Sequence, residues 1–342
     1  MSLEILENVP LAPFTTLKIG GPARLFVKAD SESEVSEAFE YANANGSAVF
    51  VLGGGSNILV SDNGFNGLVV QVGIRGISQS GELVTAAAGE DWDNFVAFCV
   101  GKGLSGVECL SGIPGFVGGT PVQNVGAYGQ EVSETIVSVR CFDRCTLDLV
   151  DLSNEQCGFA YRKSIFNSSE RDRYVVLAVT YNLISDGAAK IVYKDLVERF
   201  GSRQPTLTET REMVLKVRRA KSMVIDPSDP NSQSAGSFFK NPIVPSKKIE
   251  EIAGKLGIPA VPHFRFNQTE VKISAAWLIE RAGFSKGFAL GNAGISSNHT
   301  LAIVNRGGAT AAAVIDLKNL IQERVLERFG IELQPEPVFV GF

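Results

Sequence analysis

Apolar residues recur at helical spacing in several segments of the chain. In SESEVSEAFEYANANG, Val35, Ala38, Phe39 and Ala42 recur at positions i, i+3, i+4 and i+7 behind a serine and acidic start, and Gly46 follows as a stop. This spacing places the four side chains on one face of a helix. The same pattern predicts helices in DWDNFVAFCVGKG, at about 208–220, and in PSKKIEEIAGKLG, SAAWLIERAG and AAAVIDLKNLIQERVLERFG, the last ending at Gly330.

Short apolar runs between turn residues predict β-strands. AVFVL leads into the glycines at 53–55, and ILV and GLVVQV follow them. TIVSVRCF and YVVLAVTYNL are further strand-like runs, and the final IELQPEPVFV is typical of an extended tail. The segment 111–130, SGIPGFVGGTPVQNVGAYGQ, is too rich in Gly and Pro for a long helix or a central strand. So much irregular backbone is typical of a ligand-binding segment.

These elements suggest three parts in a chain of 342 residues. Residues 1–73 form a compact α/β unit. Residues 74–185 contain one clear helix and late strands, as in an α+β domain, and the helix at about 208–220 completes a second part that ends at residue 222. A polar stretch, KSMVIDPSDPNSQSAGS, then reads as a linker into a third part over 223–330. Residues 331–342 form the tail.

Composition narrows the class of function. The chain is 44% hydrophobic and 20% charged, as in an ordinary globular protein, and its net charge is −5. Nonspecific binding of nucleic acid or of an anionic membrane needs clustered Lys and Arg, so we expect neither partner. The first residues lack a basic segment followed by an apolar one, and no run approaches the roughly 20 apolar residues of a membrane span. The sequence therefore predicts a cytoplasmic protein.

Cysteine and histidine usage argues against metal and disulfide chemistry. The five cysteines are odd in number and lack CxxC spacing, which suggests neither a disulfide framework nor a zinc site. The two histidines, His263 and His299, have no third ligand spaced for a transition metal. We therefore expect no metal, and no Ser/His/Asp catalysis.

Two glycine-rich motifs are candidates for binding a phosphorylated ligand. GGGSN follows an apolar strand, and its glycines let backbone N–H groups approach an anion. A plain tight turn explains this motif equally well, because its spacing is neither that of a Rossmann turn nor that of a P-loop. SGIPGFVGG is a second loop of the same kind, in which a cis Ile113–Pro114 bond is possible but not required. Together the two loops fit an extended dinucleotide, although composition does not say which one.

Three polar residues stand in motifs that suit catalysis. Arg162 in YRKSIF could pair with a substrate carboxylate, although an exposed arginine beside a packed tyrosine is the commoner explanation. Ser237 in AGSFFKNP has no nearby histidine as a base, so a capping or turn serine is the more frequent reading. Glu336, between two prolines, would ordinarily be an exposed tail carboxylate. The residues alone predict a ligand-binding α/β protein.

Six motifs, in one order, resemble those of a known family. TTLKIGGPA, GGGSNILVSD, SGIPGFVGGTPVQNVGAYG, YRKSIF, AGSFFKNP and LQPE, spread from Thr15 to Phe342, are similar to motifs of the UDP-N-acetylenolpyruvoylglucosamine reductases (MurB), most closely those of type I. The resemblance implies an α+β fold: a vanillyl-alcohol-oxidase/PCMH-type FAD-binding domain pair (1–73 and 74–222), a smaller α+β substrate-binding domain (223–330), and a tail (331–342) that returns to the first subdomain.

The resemblance also implies the cofactors. FAD would be noncovalent, since no histidine precedes His263, and NADPH would be the hydride-donating cosubstrate. The implied FAD-binding residues are Gly53, Gly54, Gly55, Ser56, Asn57, Ser111, Gly112, Ile113, Pro114, Gly115, Gly118, Asn124, Gly126 and Tyr128.

The implied reaction reduces the enolpyruvyl ether of a UDP-amino-sugar in peptidoglycan precursor synthesis. Arg162 would hold the substrate carboxylate, Ser237 would give a proton to C2, and Glu336 would assist the enolic intermediate. Tyr161, Tyr193, Lys221 and Asn241 match positions associated with the UDP-sugar. One departure is Val338, where some relatives have arginine, and it puts the substrate contacts of the tail in question.

Two other functions fit the glycine loops. An FAD oxidase on the same scaffold would need only GGGSN and SGIPG. A flavin or nucleotide carrier would also need only these loops, but it would leave Arg162, Ser237 and Glu336 without a role. Protein partners are not indicated by the sequence.

Overall fold

The computed structural model describes residues 3–342, and the helices predicted from apolar spacing are all present. Most begin at a side-chain cap, in which a Ser, Thr or Asp accepts a hydrogen bond from the backbone N–H three residues on, as Ser31 does from Glu34. Gly257 and Gly330 end two of them in the left-handed conformation. The helices are α1 (Glu32–Ala44), α2 (Trp92–Gly101), α3 (Lys194–Phe200), α4 (Leu207–Ala220), α5 (Lys247–Leu256), α6 (Ala275–Arg281) and α7 (Ala311–Phe329).

The strands are short and numerous. They are β1 (Leu6–Pro10), β2 (Pro22–Ala29), β3 (Val49–Leu52), β4 (Ile58–Val60), β5 (Phe65–Val72), β6 (Ile77–Ser80), β7 (Leu83–Ala87), β8 (Leu104–Ser105), β9 (Gly126–Ala127), β10 (Gln130–Glu131), β11 (Ile136–Asp143), β12 (Leu149–Ser153), β13 (Tyr174–Asn182), β14 (Ile184–Ser185), β15 (Ile243–Pro245), β16 (His263–Arg265), β17 (Glu270–Ile273), β18 (Ala289–Leu290), β19 (Ala293–Ile295), β20 (Ile303–Asn305) and β21 (Val338–Val340).

The chain folds into two compact units. Of the described residues, the first unit consists of 3–10, 22–55 and 65–224, and the second of 11–21, 56–64 and 225–342. The second unit thus takes two short segments from the N-terminal part of the chain, which the sequence assigned wholly to the first domain.

The first unit contains two larger sheets and two two-stranded ones, β9-β10 and β8-β14. In the order β1-β2-β5-β3, strands β2, β5 and β3 run parallel and β1 is antiparallel to β2. The second sheet, β12-β11-β13-β7-β6, is antiparallel throughout. Helix α1 buries the face predicted from its spacing, and α2 buries Trp92 and Phe95 in the same core. Residues 111–130 are irregular as predicted, with only a 3-10 turn at Val117–Gly119 and the small β9-β10 ribbon.

The second unit is built around α7 and three small sheets. These have the orders β15-β17-β16, β18-β19-β20 and β21-β4. Its core includes Phe238, Phe239 and the inner face of α7, where Val314, Leu317 and Ile321 are fully buried. The C-terminal strand β21 pairs in parallel with β4, so the tail is an integral strand of this unit. Within residues 3–342, no helix combines the length and apolar character needed to cross a membrane.

Candidate active site

The two glycine-rich loops of the first unit approach each other backbone to backbone. A Cβ atom placed on Gly54 would lie 2.6 Å from the Cα of Gly115 and 2.9 Å from the N of Phe116. Gly55 and Gly115 also have positive φ, at +61° and +120°, which side chains rarely adopt. Only glycine allows this close approach, and it brings the two predicted cofactor motifs into contact.

The second loop is tied to helices α2 and α4. The backbone N–H of Gly112 donates to the carboxylate of Asp93 at 2.5 Å, and Arg211 on α4 grips the same carboxylate with both terminal nitrogens at 2.6 and 2.7 Å. Burial alone would raise the pKa of Asp93, but the hydrogen bonds from Arg211 and Gly112 lower it below its ordinary value. The charged Asp93 carboxylate therefore holds the second loop in place at Gly112, near its first residue.

Arg218 is a buried cation behind this loop. Its side chain is 7% exposed, its Nη2 donates to the carbonyl of Met223 at 2.7 Å, and its Nε has no hydrogen-bond partner within residues 3–342. A Cβ on Gly112 would lie 3.4 Å from that Nε. Burial lowers the pKa of Arg218, yet a guanidinium stays charged in proteins. A buried donor without an acceptor is costly, which indicates a place for an electron-rich ligand group.

The loop contacts and Arg218 together fit FAD. Glycine loops that expose backbone N–H groups suit a diphosphate, and a buried guanidinium whose Nε lacks an acceptor within residues 3–342 suits a polar, electron-rich group. Sequence analysis did not single out Arg218. The sequence offers no signal for it, because Arg218 stands beside Arg219 and Lys221 in a basic stretch and only its burial sets it apart.

Arg162 is held in an uncommon backbone conformation. Its φ is +53°, and its carbonyl accepts from the side chain of Asn167 at 3.2 Å. Its Nη1 and Nη2 donate to the carbonyls of Asn124 and Gly126 at 3.4 and 2.6 Å, and its guanidinium lies 5.4 Å from the ring centre of Tyr161. The predicted carboxylate-binding residue is therefore fixed on both its backbone and its side chain, and it is half-buried.

Tyr128 lies in the turn between β9 and β10. The two turn residues, Tyr128 and Gly129, have φ of +49° and +84°, as a two-residue turn of type I′ requires. The ring of Tyr128 packs edge-on against that of Tyr193, with centroids 5.3 Å apart. Burial raises the pKa of both phenols. Both therefore remain neutral hydrogen-bond donors near pH 7.

The predicted substrate residue Lys221 already has an anionic neighbour. It ends α4, and its ammonium group lies 3.0 Å from the carboxylate of Asp195 on α3. Tyr193 occupies the N-cap position of the same helix α3, without a capping hydrogen bond from its side chain. The first unit thus brings together Tyr193, Lys221 and Asp195.

The second unit brings the segments of Ser237 and Glu336 side by side. The N–H of Glu336 donates to the carbonyl of Phe238 at 2.9 Å, and that of Lys240 to the carbonyl of Gln334 at 2.9 Å. Phe239 and Pro335 form an antiparallel bridge. The fully buried rings of Phe238 and Phe239 anchor this pairing, while the half-buried Ser237 and Glu336 lie at its edge.

The remaining predicted residues of this unit support that pairing. The Asn57 side chain donates to the carbonyl of Glu336 at 3.3 Å, and the Asn57 carbonyl accepts from Val338 at 2.9 Å. The side-chain oxygen of Asn241 accepts from the N–H of Ala275 at 2.9 Å, at the start of α6. The sequence predicted that Asn57 binds cofactor and Asn241 binds substrate; these roles stay predictions, and both side chains also hold the local backbone.

Comparisons with known proteins show which families the chain is similar to. A family model for an FAD binding domain matches residues 23–151, and a model for the C-terminal domain of UDP-N-acetylenolpyruvoylglucosamine reductase matches residues 227–340. The chain is 46% identical over 358 residues to the UDP-N-acetylenolpyruvoylglucosamine reductase of Thermobifida fusca, covering 100% of this chain and 99% of that protein. It is 47% identical over 348 residues to the enzyme of that name from Saccharopolyspora erythraea, covering 96% and 94%.

A solved structure supports the fold over the whole chain. The crystal structure of UDP-N-acetylenolpyruvylglucosamine reductase (MurB) from Thermus caldophilus superposes with a TM-score of 0.70 at 26% identity and covers 99% of both chains. The predicted α+β fold with an FAD-binding part is thereby confirmed, as is the resemblance stated from the motifs. On its sequence and its fold, the chain belongs to the UDP-N-acetylenolpyruvoylglucosamine reductase family.

Proposed function

We propose that Arg162, Ser237 and Glu336 carry the chemistry of this FAD-dependent reductase. As a member of its family, the enzyme reduces UDP-N-acetyl-3-O-(1-carboxyvinyl)-glucosamine to UDP-N-acetylmuramate with NADPH, in peptidoglycan precursor synthesis. When bound, FAD supplies hydride transfer between NADPH and C3 of the enolpyruvyl group. The chain itself must then bind the substrate carboxylate and protonate C2.

The glycine loops and Arg218 hold the cofactor in this proposal. Gly53–Asn57 and Ser111–Gly118 present backbone N–H groups to the diphosphate and ring surroundings of FAD. The orphaned Nε of Arg218 donates to an electron-rich atom of the cofactor, and the buried position makes that hydrogen bond strong. The support is the contact between the loops at Gly54 and Gly115 and the unpaired buried donor beside Gly112.

Arg162 holds the substrate carboxylate. Hydride addition at C3 leaves electron density at C2, which is delocalised into that carboxylate. A guanidinium whose position is fixed beforehand stabilises this charge without having to reorganise during the reaction. The support is the fixed conformation of Arg162, with two carbonyl acceptors and the Tyr161 ring around it.

Ser237 donates the proton to C2, and Glu336 assists the enolic form. An alcohol is a weak acid, but a carbanion-like C2 is very basic, so the transfer is feasible without a histidine. The observation that carries this assignment is the hydrogen bond of 2.9 Å between the Glu336 N–H and the Phe238 carbonyl. This bond holds the segment of Glu336 against the segment that contains Ser237. The buried rings of Phe238 and Phe239 anchor the paired segments.

Tyr161, Tyr193, Lys221 and Asn241 contact the UDP-sugar in this proposal. The Lys221–Asp195 ion pair is 36% exposed on both sides, and such pairs are worth about 0–1 kcal/mol. A diphosphate, which carries more charge than one carboxylate, can therefore share or displace Asp195 at Lys221.

We also propose the part of the chain that each function occupies. Residues 1–73 and 74–222 form the two FAD-binding subdomains, and 223–330 the substrate-binding domain. The family-model matches at 23–151 and 227–340 support the boundary near residue 223. The enzyme acts in the cytoplasm on small molecules, without nucleic acid or membrane as partners. The net charge of −5 supports the last point, since anionic polymers repel an anionic protein.

The experiment that tests the proposal is anaerobic single-turnover kinetics of Ser237→Ala. Flavin bleaching by NADPH should stay close to the wild-type rate, whereas recovery of absorbance with the sugar nucleotide should slow by about a hundredfold or more. Ser237→Cys, which keeps a dissociable proton, is the control and should recover faster than Ser237→Ala. Equal slowing of both half-reactions in Ser237→Ala would refute the assigned role.

A further inference from the structure

Arg162 depends on a second residue with positive φ, Asn124. Residues other than glycine cost about 1–3 kcal/mol in such a conformation and keep it only where their surroundings impose it. Asn124 has φ +45° and is 1% exposed, and its main-chain carbonyl accepts from Arg162. The Asn124 side chain reaches back to the Arg162 loop, donating to the carbonyl of Ala160 at 3.1 Å. The two residues hold each other.

Glu131 completes the hydrogen bonding of Asn124. The Asn124 amide nitrogen has two hydrogens, one for Ala160 and one for the Glu131 carboxylate at 2.9 Å, while its amide oxygen accepts from the N–H of Ser133 at 3.1 Å. Reversing this amide would set its oxygen against the carboxylate. Glu131 therefore fixes which way the Asn124 side chain points.

The β9-β10 ribbon links Glu131 to the other acceptor of Arg162. Glu131 pairs directly with Gly126, whose carbonyl receives Nη2 of Arg162 at 2.6 Å. A Cβ on Gly126 would lie 2.8 Å from Cγ of Glu131 and 3.1 Å from Nη1 of Arg162. The stem of Glu131 and the guanidinium thus flank one glycine. Of the two carbonyls that hold Arg162, that of Gly126 belongs to β9, which pairs with Glu131, and that of Asn124 belongs to the residue whose side chain Glu131 binds.

We infer that Glu131 is a positioning residue, which sets the guanidinium of Arg162 for the substrate carboxylate through Asn124 and Gly126. The inference rests on the proposed role of Arg162. It assigns to Glu131 no contact with substrate or cofactor. Its effect should therefore fall on the sugar-nucleotide half of the reaction and on binding of that substrate. Because Asn124 and Gly126 are also predicted FAD-binding residues, both effects are measured on enzyme whose flavin content equals that of the wild type.

The test uses the FAD-loaded enzyme and the variants Glu131→Ala, Glu131→Gln and Val132→Ala. Glu131→Ala should slow the sugar-nucleotide half-reaction by about tenfold or more, the effect of losing a hydrogen bond to a charged group, with little change in bleaching by NADPH. The upward shift of Tm that the sugar nucleotide induces should shrink as well. Glu131→Gln keeps an acceptor for Asn124 and should restore most of the rate.

Val132→Ala separates positioning from general loosening. Val132 is fully buried next to Glu131, and its substitution should lower Tm while leaving the sugar-nucleotide half-reaction close to wild type. If Glu131→Ala slows both half-reactions alike, or if Glu131→Gln gives no rescue, the inference is overturned.

The double variant Arg162→Ala/Glu131→Ala shows whether Glu131 acts through Arg162. Removing Glu131 after Arg162 should cost nothing further in the sugar-nucleotide half-reaction, whereas full additivity would contradict the inference. The single variant Arg162→Ala distinguishes a failure of the proposed role of Arg162 from a failure of the inferred role of Glu131. No loss in Arg162→Ala refutes the proposed function of Arg162, while a loss in Arg162→Ala with none in Glu131→Ala refutes only the role of Glu131.

Discussion

The two units position their candidate residues in opposite ways. In the first unit, Arg162, Asn124 and Tyr128 have positive φ and are held by side-chain hydrogen bonds and ring packing. In the second unit, neither Ser237 nor Glu336 has positive φ; the positive φ beside Ser237 falls on Gly236, and main-chain hydrogen bonds and buried rings hold the segment. Conformations that depend on side chains are sensitive to substitution at supporting positions. Paired backbone tolerates such changes better.

The tightest point of the first unit gives the largest expected effect. Gly54→Ala places a Cβ 2.6 Å from the Cα of Gly115, where backbone would have to move. We expect a loss of stability of about 3 kcal/mol or more and loss of FAD from the purified protein. Urea unfolding and the flavin absorbance per protein measure both.

Gly119→Ala is the matched control for that change. Gly119 lies in the same glycine-rich region, but a Cβ there meets nothing within 4 Å. Its stability should stay near that of the wild type. Similar losses in both variants would mean that the two loops are not in close contact.

The next effect concerns the ionic anchor of the second loop. The pKa of Asp93 lies below its ordinary value of 3.8, so its charge stabilises the fold fully above that pH and less as the pH falls through the lowered pKa. Asp93→Asn should cost about 2 kcal/mol at pH 7, a cost that shrinks as the pH is lowered below about 4. Unfolding at pH 7 and pH 3 tests this. Glu212→Gln, on the exposed side of α4, is the control and should leave the stability at pH 7 close to that of the wild type.

The buried guanidinium of the first unit gives the third effect. Arg218→Met removes the donor with no protein partner, and FAD affinity should fall about tenfold or more, as for loss of a hydrogen bond to a charged group. Arg219→Met, on the exposed neighbour, should leave affinity unchanged. FAD titration of the apoprotein compares them. Equal affinities of the two variants would remove Arg218 from the cofactor site.

The smallest expected effect is a difference between Asn124 and Ser237 in their tolerance of glycine and alanine. At Asn124, glycine should be tolerated better than alanine by about 1 kcal/mol, because φ is positive there. At Ser237 the order should reverse, with glycine worse than alanine by about 0.5–1 kcal/mol. Thermal unfolding of the four variants measures both differences. The same order at both positions would mean that Asn124 and Ser237 do not differ in the sign of φ as the structure shows.

Sequence predicted the elements with strong local signals. The face of α1 and the glycine that ends α7 follow from spacing and capping, which are local properties. Strand β2 and helix α3 are among the elements that were missed. Strand β2 follows a Gly-Gly turn signal, but Arg24 and Lys28 interrupt its apolar run. Helix α3 has only seven residues, and the tyrosine at its N-cap position makes no capping hydrogen bond.

Only the site residues that lie in recognisable sequence motifs were predicted. Motif residues such as Arg162 and Ser237 were named, while Arg218 and Glu131 were not. Arg218 looks like any helical arginine until its burial is known, and Glu131 gains its role from pairing with Gly126 across a turn. The two-unit division also depends on long-range pairing, since β21 joins β4 from the far end of the chain. Such contacts leave no pattern within a short window.

The most direct test of the account is an anaerobic absorbance experiment on the purified wild-type protein, with NADPH added first and the UDP-N-acetylglucosamine enolpyruvate second. If the protein reduces this sugar nucleotide with NADPH through FAD, NADPH bleaches the flavin band near roughly 450 nm, and the sugar nucleotide restores it in the absence of oxygen. Bleaching that recovers only when oxygen is admitted would contradict the reductase function and favour an oxidase.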